Sequence, residues 1–323
     1  MKILVTHISY HCSVGVIKLL RKIETFPIKI IGCSSYPLGM SSGSLLVDRF
    51  YQAPTVENTN EYLSFIFHLI ETEDVDAIFS PDETELLLFQ EYLDQLRGKV
   101  VIPPADIIRL FQNKQESAKA MLALGVSVPI VIPYSELLKG LPEQKVILRE
   151  NVSCCSYGIY ITNSTNISDI QQHFTPTTFA QEYISGQEYT VDVLCDRFGE
   201  PQIIIPRERL AIRGGITYKC RIAHEPSLIK ICLDIYRNYK IPGFSNVQFI
   251  IKDDIPYFIE LNPRIGGTTI ASSLASVNLI ELFIAHFFKE KALAGLDYYM
   301  KLVNWETIVT RYYEETIFFE KGK

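Results

Sequence analysis

The first hundred residues alternate short apolar runs with stretches of helical periodicity, and that alternation leaves few folds open. Ile3 to Val5 reads as a strand, Val14 to Lys22 as a helix and Ile28 to Cys33 as a second strand. Tyr62 to Glu71 has a helical pattern, and Val75 to Ser80 is a strand stopped at Pro81. Glu83 to Leu96 is a further helix, and Lys99 to Ile102 a strand ended by Pro103-Pro104. Strands separated by helices pair in parallel, with the helices covering the sheet faces. Ligands of such sheets lie beyond the strand C-terminal ends. The loop after the first strand, His7 to Gly15, holds a single glycine and lacks the dinucleotide fingerprint, so a nicotinamide site of that kind is not expected.

The texture changes after Pro103-Pro104. Ala105 to Leu124 is a helical stretch closed by Gly125. Short strands rich in β-branched and aromatic residues follow, at 128–133, 145–149, 179–184, 189–195 and 202–205. A last pair, 247–251 and 256–261, flanks Lys252-Asp253-Asp254, and Ile308 to Glu320 is again strand-like. There is no internal repeat and no low-complexity linker, and a chain of 323 residues suggests two or three closely packed domains.

Several classes of function are excluded early. The formal net charge is −6 and no run of Lys and Arg occurs, which disfavours a nucleic-acid partner. No stretch approaches the roughly 18 apolar residues of a membrane span; Leu279 to Phe288 is interrupted by Glu281 and His286. Met1 to Thr6 is too short for a signal peptide. Seven cysteines without regular spacing make neither a disulfide framework nor a zinc pattern, and a cytoplasmic protein with reduced thiols is expected. The six histidines show no metal or triad spacing and read as structural. Adjacent Cys154 and Cys155 are poorly placed for a mutual disulfide. Asp82, Glu83 and Glu85 lie at the C-terminal edge of a strand, where either substrate contact or an acidic first helical turn accounts for them.

The residues with most chemical content are Gln248 and Glu260-Leu261-Asn262-Pro263-Arg264. Strand alternation turns Tyr257, Ile259 and Leu261 one way and Glu260 and Asn262 the other. A three-residue turn would set Gln248 opposite Glu260. Three oxygen-bearing side chains on one face suit Mg²⁺, which takes one or two carboxylates plus phosphate oxygens and water. Arg264 can clamp a carboxylate or phosphate, and Gly266-Gly267 lets backbone approach a ligand before a helix near Thr268. For Glu260 and Asn262 alone, a polar strand face turned to water is an equal reading. The surrounding residues tip it towards a ligand site.

This set resembles the metal-binding strands of the ATP-grasp superfamily, in particular the ATP-binding unit of the carbamoyl-phosphate synthase large subunit and small carboxylate–amine ligases. The resemblance implies that Gln248, Glu260 and Asn262 hold Mg²⁺ (or Mn²⁺) against ATP and that Arg264 lies beside the transferred phosphoryl group. It places Lys114 and Arg149 on the ATP phosphates; Arg149 stands where many members have Lys and resembles the carbamoyl-phosphate synthase version. Ser156 and Gly158 fall in the loop that closes over the phosphates, here poorer in glycine than is usual and carrying the cysteine pair. Glu182, Tyr183 and Ile184 match the adenine hinge and Glu188 the ribose contact, while Arg213 is chosen as a cationic catalytic residue.

The implied fold is α/β, in part α+β. A Rossmann-like pre-ATP-grasp domain spans 1–104, a small lobe with the phosphate loop 105–185, and a large lobe with the metal site and a C-terminal extension 186–323. The implied activity is ATP-dependent carboxylate–amine ligation through an acylphosphate, releasing ADP and phosphate. Carboxyphosphate or carbamate phosphorylation of the carbamoyl-phosphate synthase kind, and a non-catalytic ATP-binding subunit, are the alternatives. Its partners would be a small carboxylate and an amine, with no nucleic acid and no membrane, and a homodimer is compatible with this reading.

Overall fold

The structure, a computed structural model, describes residues 1–133, 145–152, 160–162, 175–312 and 314–318. Three sheets organise it. In the first, β1 (Lys2–Val5), β2 (Lys29–Ser34), β3 (Arg49–Gln52) and β4 (Ala77–Phe79) lie parallel in the order β3-β2-β1-β4. Alternation within β1 sends Ile3 and Val5 to one face, against α1 (His11–Leu20). Leu4 goes to the other, against α2 (Thr59–Glu73). The parallel sheet is the one the strand–helix alternation predicts, with two differences. β3 is added, its Arg-Phe-Tyr-Gln sequence only half-buried and so without an apolar run to betray it. Lys99 to Ile102 joins only through a single bridge between Val100 and Ile78.

Two helices, α3 (Glu83–Gln90) and α4 (Leu93–Leu96), replace the single one expected after β4. The stretch expected as one helix from Ala105 likewise divides into α5 (Ala105–Gln112) and α6 (Lys114–Ala123). Asn113 breaks it, because its side chain caps α6 by accepting from the Glu116 N–H at 3.0 Å.

The second sheet is antiparallel and six-stranded, in the order β13-β12-β9-β10-β11-β14. Its members are β9 (Gln187–Cys195), β10 (Pro201–Arg213), β11 (Ile216–Ile222), β12 (Gly243–Lys252), β13 (Ile255–Asn262) and β14 (Ile308–Thr310). One face packs Val191, Val193, Val247, Phe249, Phe258 and Leu261 against α5, α6 and α7 (Pro226–Tyr239). Residues 105–123, grouped with the smaller lobe in the sequence reading, thus share the core of this sheet.

The opposite face changes character along its length. At one end Leu194, Ile203, Ile205 and Phe244 join the core that includes Ile3, Val5 and α1, closed by α8 (Thr269–Leu274) and α9 (Leu279–Lys289). Further along the same rows stand Asp192, Thr190 and Glu188 on β9, Arg207 and Arg209 on β10, and Asn246 and Gln248 on β12. The apolar end fastens the parallel sheet to the large one, and the polar end emerges beside β4 and α3.

β10 runs well past Ile205, where the strand was expected to end, and β11 is new. Arg207, Glu208 and Arg209 look like a loop by composition, yet Arg207 is fully buried because Asp192 pairs with it. Among the described residues of the strand-like C-terminal stretch, only Ile308–Thr310 joins a sheet. The third sheet is small: β5 (Val131–Ile132), β8 (Thr178–Glu182), β6 (Val146–Glu150) and β7 (Tyr160–Thr162), antiparallel in the order β5-β8-β6-β7. Among the described residues no helix is long and apolar enough to cross a membrane.

Candidate active site

The β12–β13 hairpin sets Gln248 opposite Glu260, as the sequence suggests, but by a different route. The turn has two residues, Asp253 and Asp254, both in the left-handed region at φ 50° and 61°. That turn alone would face Gln248 with Ile259. A β-bulge between Gln248 and Phe249 shifts the register by one and brings in Glu260. It also sends Phe258 and Leu261 to the same core, correcting the expected alternation of Tyr257, Ile259 and Leu261. Glu260 Oε1 then accepts from Gln248 at 2.8 Å and from Asn262 at 3.2 Å.

Cationic groups surround this cluster from three sides. Arg149 on β6 reaches across from the small sheet, with Nη2 3.5 Å from Glu260 Oε2 and Nη1 donating to Gln181 at 3.2 Å. Its buried Nε has no partner among the described residues. Burial draws the Arg149 pKa down, and Glu260 only partly offsets this. Lys114, buried at the start of α6, approaches the carbonyl of Asn151, two residues beyond Arg149, at 3.5 Å. Arg209 on β10 donates to Glu188 at 2.9 Å, to Gln248 at 3.4 Å, to Thr217 at 3.0 Å and to the Gly215 carbonyl at 2.7 Å.

Residues 183–186 carry the chain from β8 in the small sheet to β9 in the large one. Glu182 bonds to Ile130 through its own N–H at 2.8 Å and accepts the Ile130 N–H on its carboxylate at 3.3 Å. The Tyr183 N–H donates to Lys145, and Ile184 is buried. A Cβ on Gly186 would stand 2.3 Å from the Ile251 carbonyl oxygen, so no larger residue fits that crossing without a shift.

On the side of the parallel sheet, Arg264 places Nε 3.2 Å from Glu83 Oε1 and donates to Asn262 Oδ1 at 3.3 Å. Burial works against its charge, yet Glu83, Cys12, Glu260 and Asp82 outweigh it and hold the pKa above the ordinary value. The backbone after Arg264 is anchored by Asp192, which takes Thr269 Oγ1 at 3.0 Å and Ser272 Oγ at 2.5 Å besides two bonds from Arg207. His11 Nε2 occupies the space where a Cβ on Gly267 would be, 2.2 Å away. Burial first, then Arg311 and Arg264, push the His11 pKa down to about 4, so its ring is neutral at ordinary pH.

The chain is similar to several known proteins. A family profile described as "ATP-grasp in the biosynthetic pathway with Ter operon" matches residues 174–306. An uncharacterized protein of Methanocaldococcus jannaschii is 28% identical over 180 residues, 53% of this chain and 45% of that one. The carbamoyl phosphate synthase large chain of Thermoanaerobacter pseudethanolicus is 27% identical over 175 residues, 50% of this chain and 15% of that one. The matches therefore span less than half of either relative. Among solved structures, biotin carboxylase from Campylobacter jejuni superposes with a TM-score of 0.70 over 91% of this chain and 72% of that one, at 17% identity. L-amino acid ligase from Bacillus licheniformis does so at 0.69 over 89% and 74%, at 12% identity.

The fold is ATP-grasp. One carboxylate and two amides, Glu260 with Gln248 and Asn262, converge on the face where the resemblance puts the metal. Their chemistry fits part of a Mg²⁺ shell, with phosphate oxygens to complete it. The amide oxygen and nitrogen positions are interchangeable by a flip, so both amides can present oxygen.

Arg149 meets Glu260, Arg264 meets Asn262, and Glu188 reaches the cluster through Arg209. Lys114 lies beside Asn151, and Glu182, Tyr183 and Ile184 lie at the passage from the small sheet to the large one, whereas Ser156 and Gly158 lie outside the described residues. Arg213 is not part of the cluster. The longer β10 carries it to the exposed hairpin tip, where it stacks 4.0 Å over the Tyr218 ring. Arg209 takes the position foreseen for it, and a period-two reading of Arg207, Arg209 and Arg213 would have offered it as a candidate. His11 was set aside as structural, and no spacing rule could have paired it with Gly267. Of the acidic trio, Asp82 is a helix cap, accepting the Thr84 and Glu85 N–H groups, and Glu85 is sealed inside with Thr6 and Tyr62. Glu83 alone reaches the site.

Proposed function

We propose that this chain is an ATP-dependent carboxylate–amine ligase. The observation that carries the reading is an unbroken series of side-chain contacts from the end expected to meet ribose to the substrate side. Glu188 touches Arg209, Arg209 touches Gln248, Gln248 touches Glu260, Glu260 touches Asn262, Asn262 touches Arg264, and Arg264 touches Glu83. In this reading the metal donors, a neighbouring cation and a substrate-facing pair belong to one connected cluster.

In this reading ATP lies along residues 182–188, and Gln248, Glu260 and Asn262 would hold Mg²⁺, which neutralises phosphate charge. Arg149 and Lys114 take the phosphate oxygens, and Arg209 fixes Glu188 for the ribose hydroxyls. The acid's carboxylate oxygen attacks the γ-phosphorus and ADP leaves, giving an acylphosphate. The amine nitrogen then attacks the acyl carbon, the bond to phosphate breaks, and the amine's surplus protons pass to phosphate and solvent. Arg264 stabilises charge on the transferring group. No protein nucleophile is required. The L-amino acid ligase among the structural neighbours supports amide formation. The carbamoyl phosphate synthase matches and the Arg at 149 favour a second reading, a carboxyphosphate- or carbamate-phosphorylating enzyme.

The test is Mg²⁺-dependent release of ADP and phosphate from ATP, screened over pooled amino acids, small carboxylic acids and bicarbonate, with amines added. An acid pool that stimulates release only with an amine present supports the ligase; stimulation by bicarbonate alone selects the second reading. Silence in every pool would overturn both.

A further inference from the structure

Glu83 and Arg264 meet where the parallel sheet abuts the large one, and neither belongs to the metal set. Glu83 begins α3, just beyond the C-terminal end of β4, and its side chain is only 15% exposed. Its Oε1 lies 3.2 Å from Arg264 Nε, yet among the described residues this buried oxygen accepts no aligned hydrogen bond. Burial pushes the carboxyl pKa up; Arg264 opposes that, Glu260 and Asp82 reinforce it, and Gln112 from α5 opposes it. A buried carboxylate with open acceptor capacity recognises a donor-rich cation, because leaving its lone pairs unfilled is costly. The cation that faces it among the described residues, Arg264, is the group that the acylphosphate would draw away. An anion such as bicarbonate would instead meet like charge there.

We propose that Glu83 binds the ammonium form of the attacking amine, so that the second substrate is ammonium or a cationic primary amine and not an anion. This rests on the ligase reading and narrows it. Glu83 and Arg264 then share the work at one seam: the arginine holds the acyl side and the carboxylate holds the ammonium beside it, which is where positioning gains most. The ammonium passes one proton to Glu83 or to solvent before its freed nitrogen lone pair attacks the acyl carbon and phosphate leaves.

The test compares wild type, Glu83→Gln and Glu83→Asp in ADP release with Mg-ATP and pooled amino acids as acids. The nucleophile is ammonium chloride, ethylamine or hydroxylamine, the last being uncharged near neutral pH. Loss of a charge-assisted bond should raise the KM for ammonium or ethylamine about ten- to hundredfold in Glu83→Gln. ATP affinity and the hydroxylamine reaction should change far less, and Glu83→Asp, which keeps the charge, should fall between. An unchanged KM for both amines would overturn the proposal, and so would an equal loss with hydroxylamine, which would mark Glu83 as structural. Stimulation of wild type by bicarbonate in place of any amine would overturn it too. If wild type gives no hydroxamate from any acid in the pool, the ligase reading falls and takes this inference with it.

Discussion

Two buried arginines face carboxylates over the polar end of the large sheet, and their partners are satisfied to very different degrees. Asp192 receives Arg207 Nε at 2.8 Å and Nη2 at 3.2 Å, together with Thr269 and Ser272. Glu260 receives two amides on Oε1, but among the described residues its Oε2 has only Arg149 at 3.5 Å. Each arginine leaves one buried nitrogen without a partner, so the distinction lies in the carboxylates. A carboxylate with both oxygens filled belongs to the scaffold. One with an oxygen held by a single long contact is where a ligand is wanted. Asp192 fixes the turn that carries Arg264, whereas Glu260, in the role proposed for it, would exchange Arg149 for a metal ion.

The comparison breaks most visibly at Glu260. Glu260→Gln should lose Mg²⁺-dependent turnover, a fall of about a thousandfold or more. Its stability should stay within about 1 kcal/mol of wild type, since the contact it gives up is long. ADP release and urea unfolding read the two parts separately, and a large drop in stability would erase the distinction from Asp192. The opposite pattern is expected of Asp192→Asn, which strands Arg207 as a buried charge and should cost about 3–5 kcal/mol in urea unfolding. A cost below about 1 kcal/mol would mean that the saturated pair is not structural.

Arg149→Met tests the looser arginine. It removes a desolvated charge held by a long contact to Glu260 and one bond to Gln181, so stability should stay within about 1 kcal/mol of wild type while ATP binds about tenfold more weakly by calorimetric titration. Unchanged ATP affinity would remove Arg149 from the phosphate site.

The smallest effect concerns acid. His11 falls from an ordinary 6.5 to about 4, so the folded state binds fewer protons than the unfolded chain between those values. Its contribution is complete above about pH 6.5 and is lost as pH falls towards 4. His11→Gln should therefore lose less stability than wild type across that window, and equal acid sensitivity would show that the ring is not held neutral.

How much of this was legible depends on whether the decisive contacts are local. Alternating strands and helices announced the parallel sheet, and Gln248 with Glu260-x-Asn262-Pro263-Arg264 announced the hairpin. Its register was foreseen for the wrong reason, because a one-residue bulge compensates for a turn one residue shorter than assumed. Bulges leave no composition signal. The extension of β10 was hidden because a buried arginine looks like a surface residue until its partner is known, and Asp192 sits on another strand. Arg213 was preferred to Arg209 for the same reason. Glu83 could not be separated from Asp82 and Glu85 by sequence, since only tertiary packing gives one a cap, one a buried hydroxyl pair and one an arginine.

The central claim is that a carboxylate attacks the γ-phosphoryl group of ATP in this cleft. The direct measurement supplies the stimulating acid with heavy oxygen in its carboxylate and weighs the phosphate released. Heavy oxygen should appear in inorganic phosphate, one atom per turnover, and only when Glu260 is intact. Unlabelled phosphate, with turnover undiminished, would mean that water or another group receives the phosphoryl, and the acylphosphate account would be wrong.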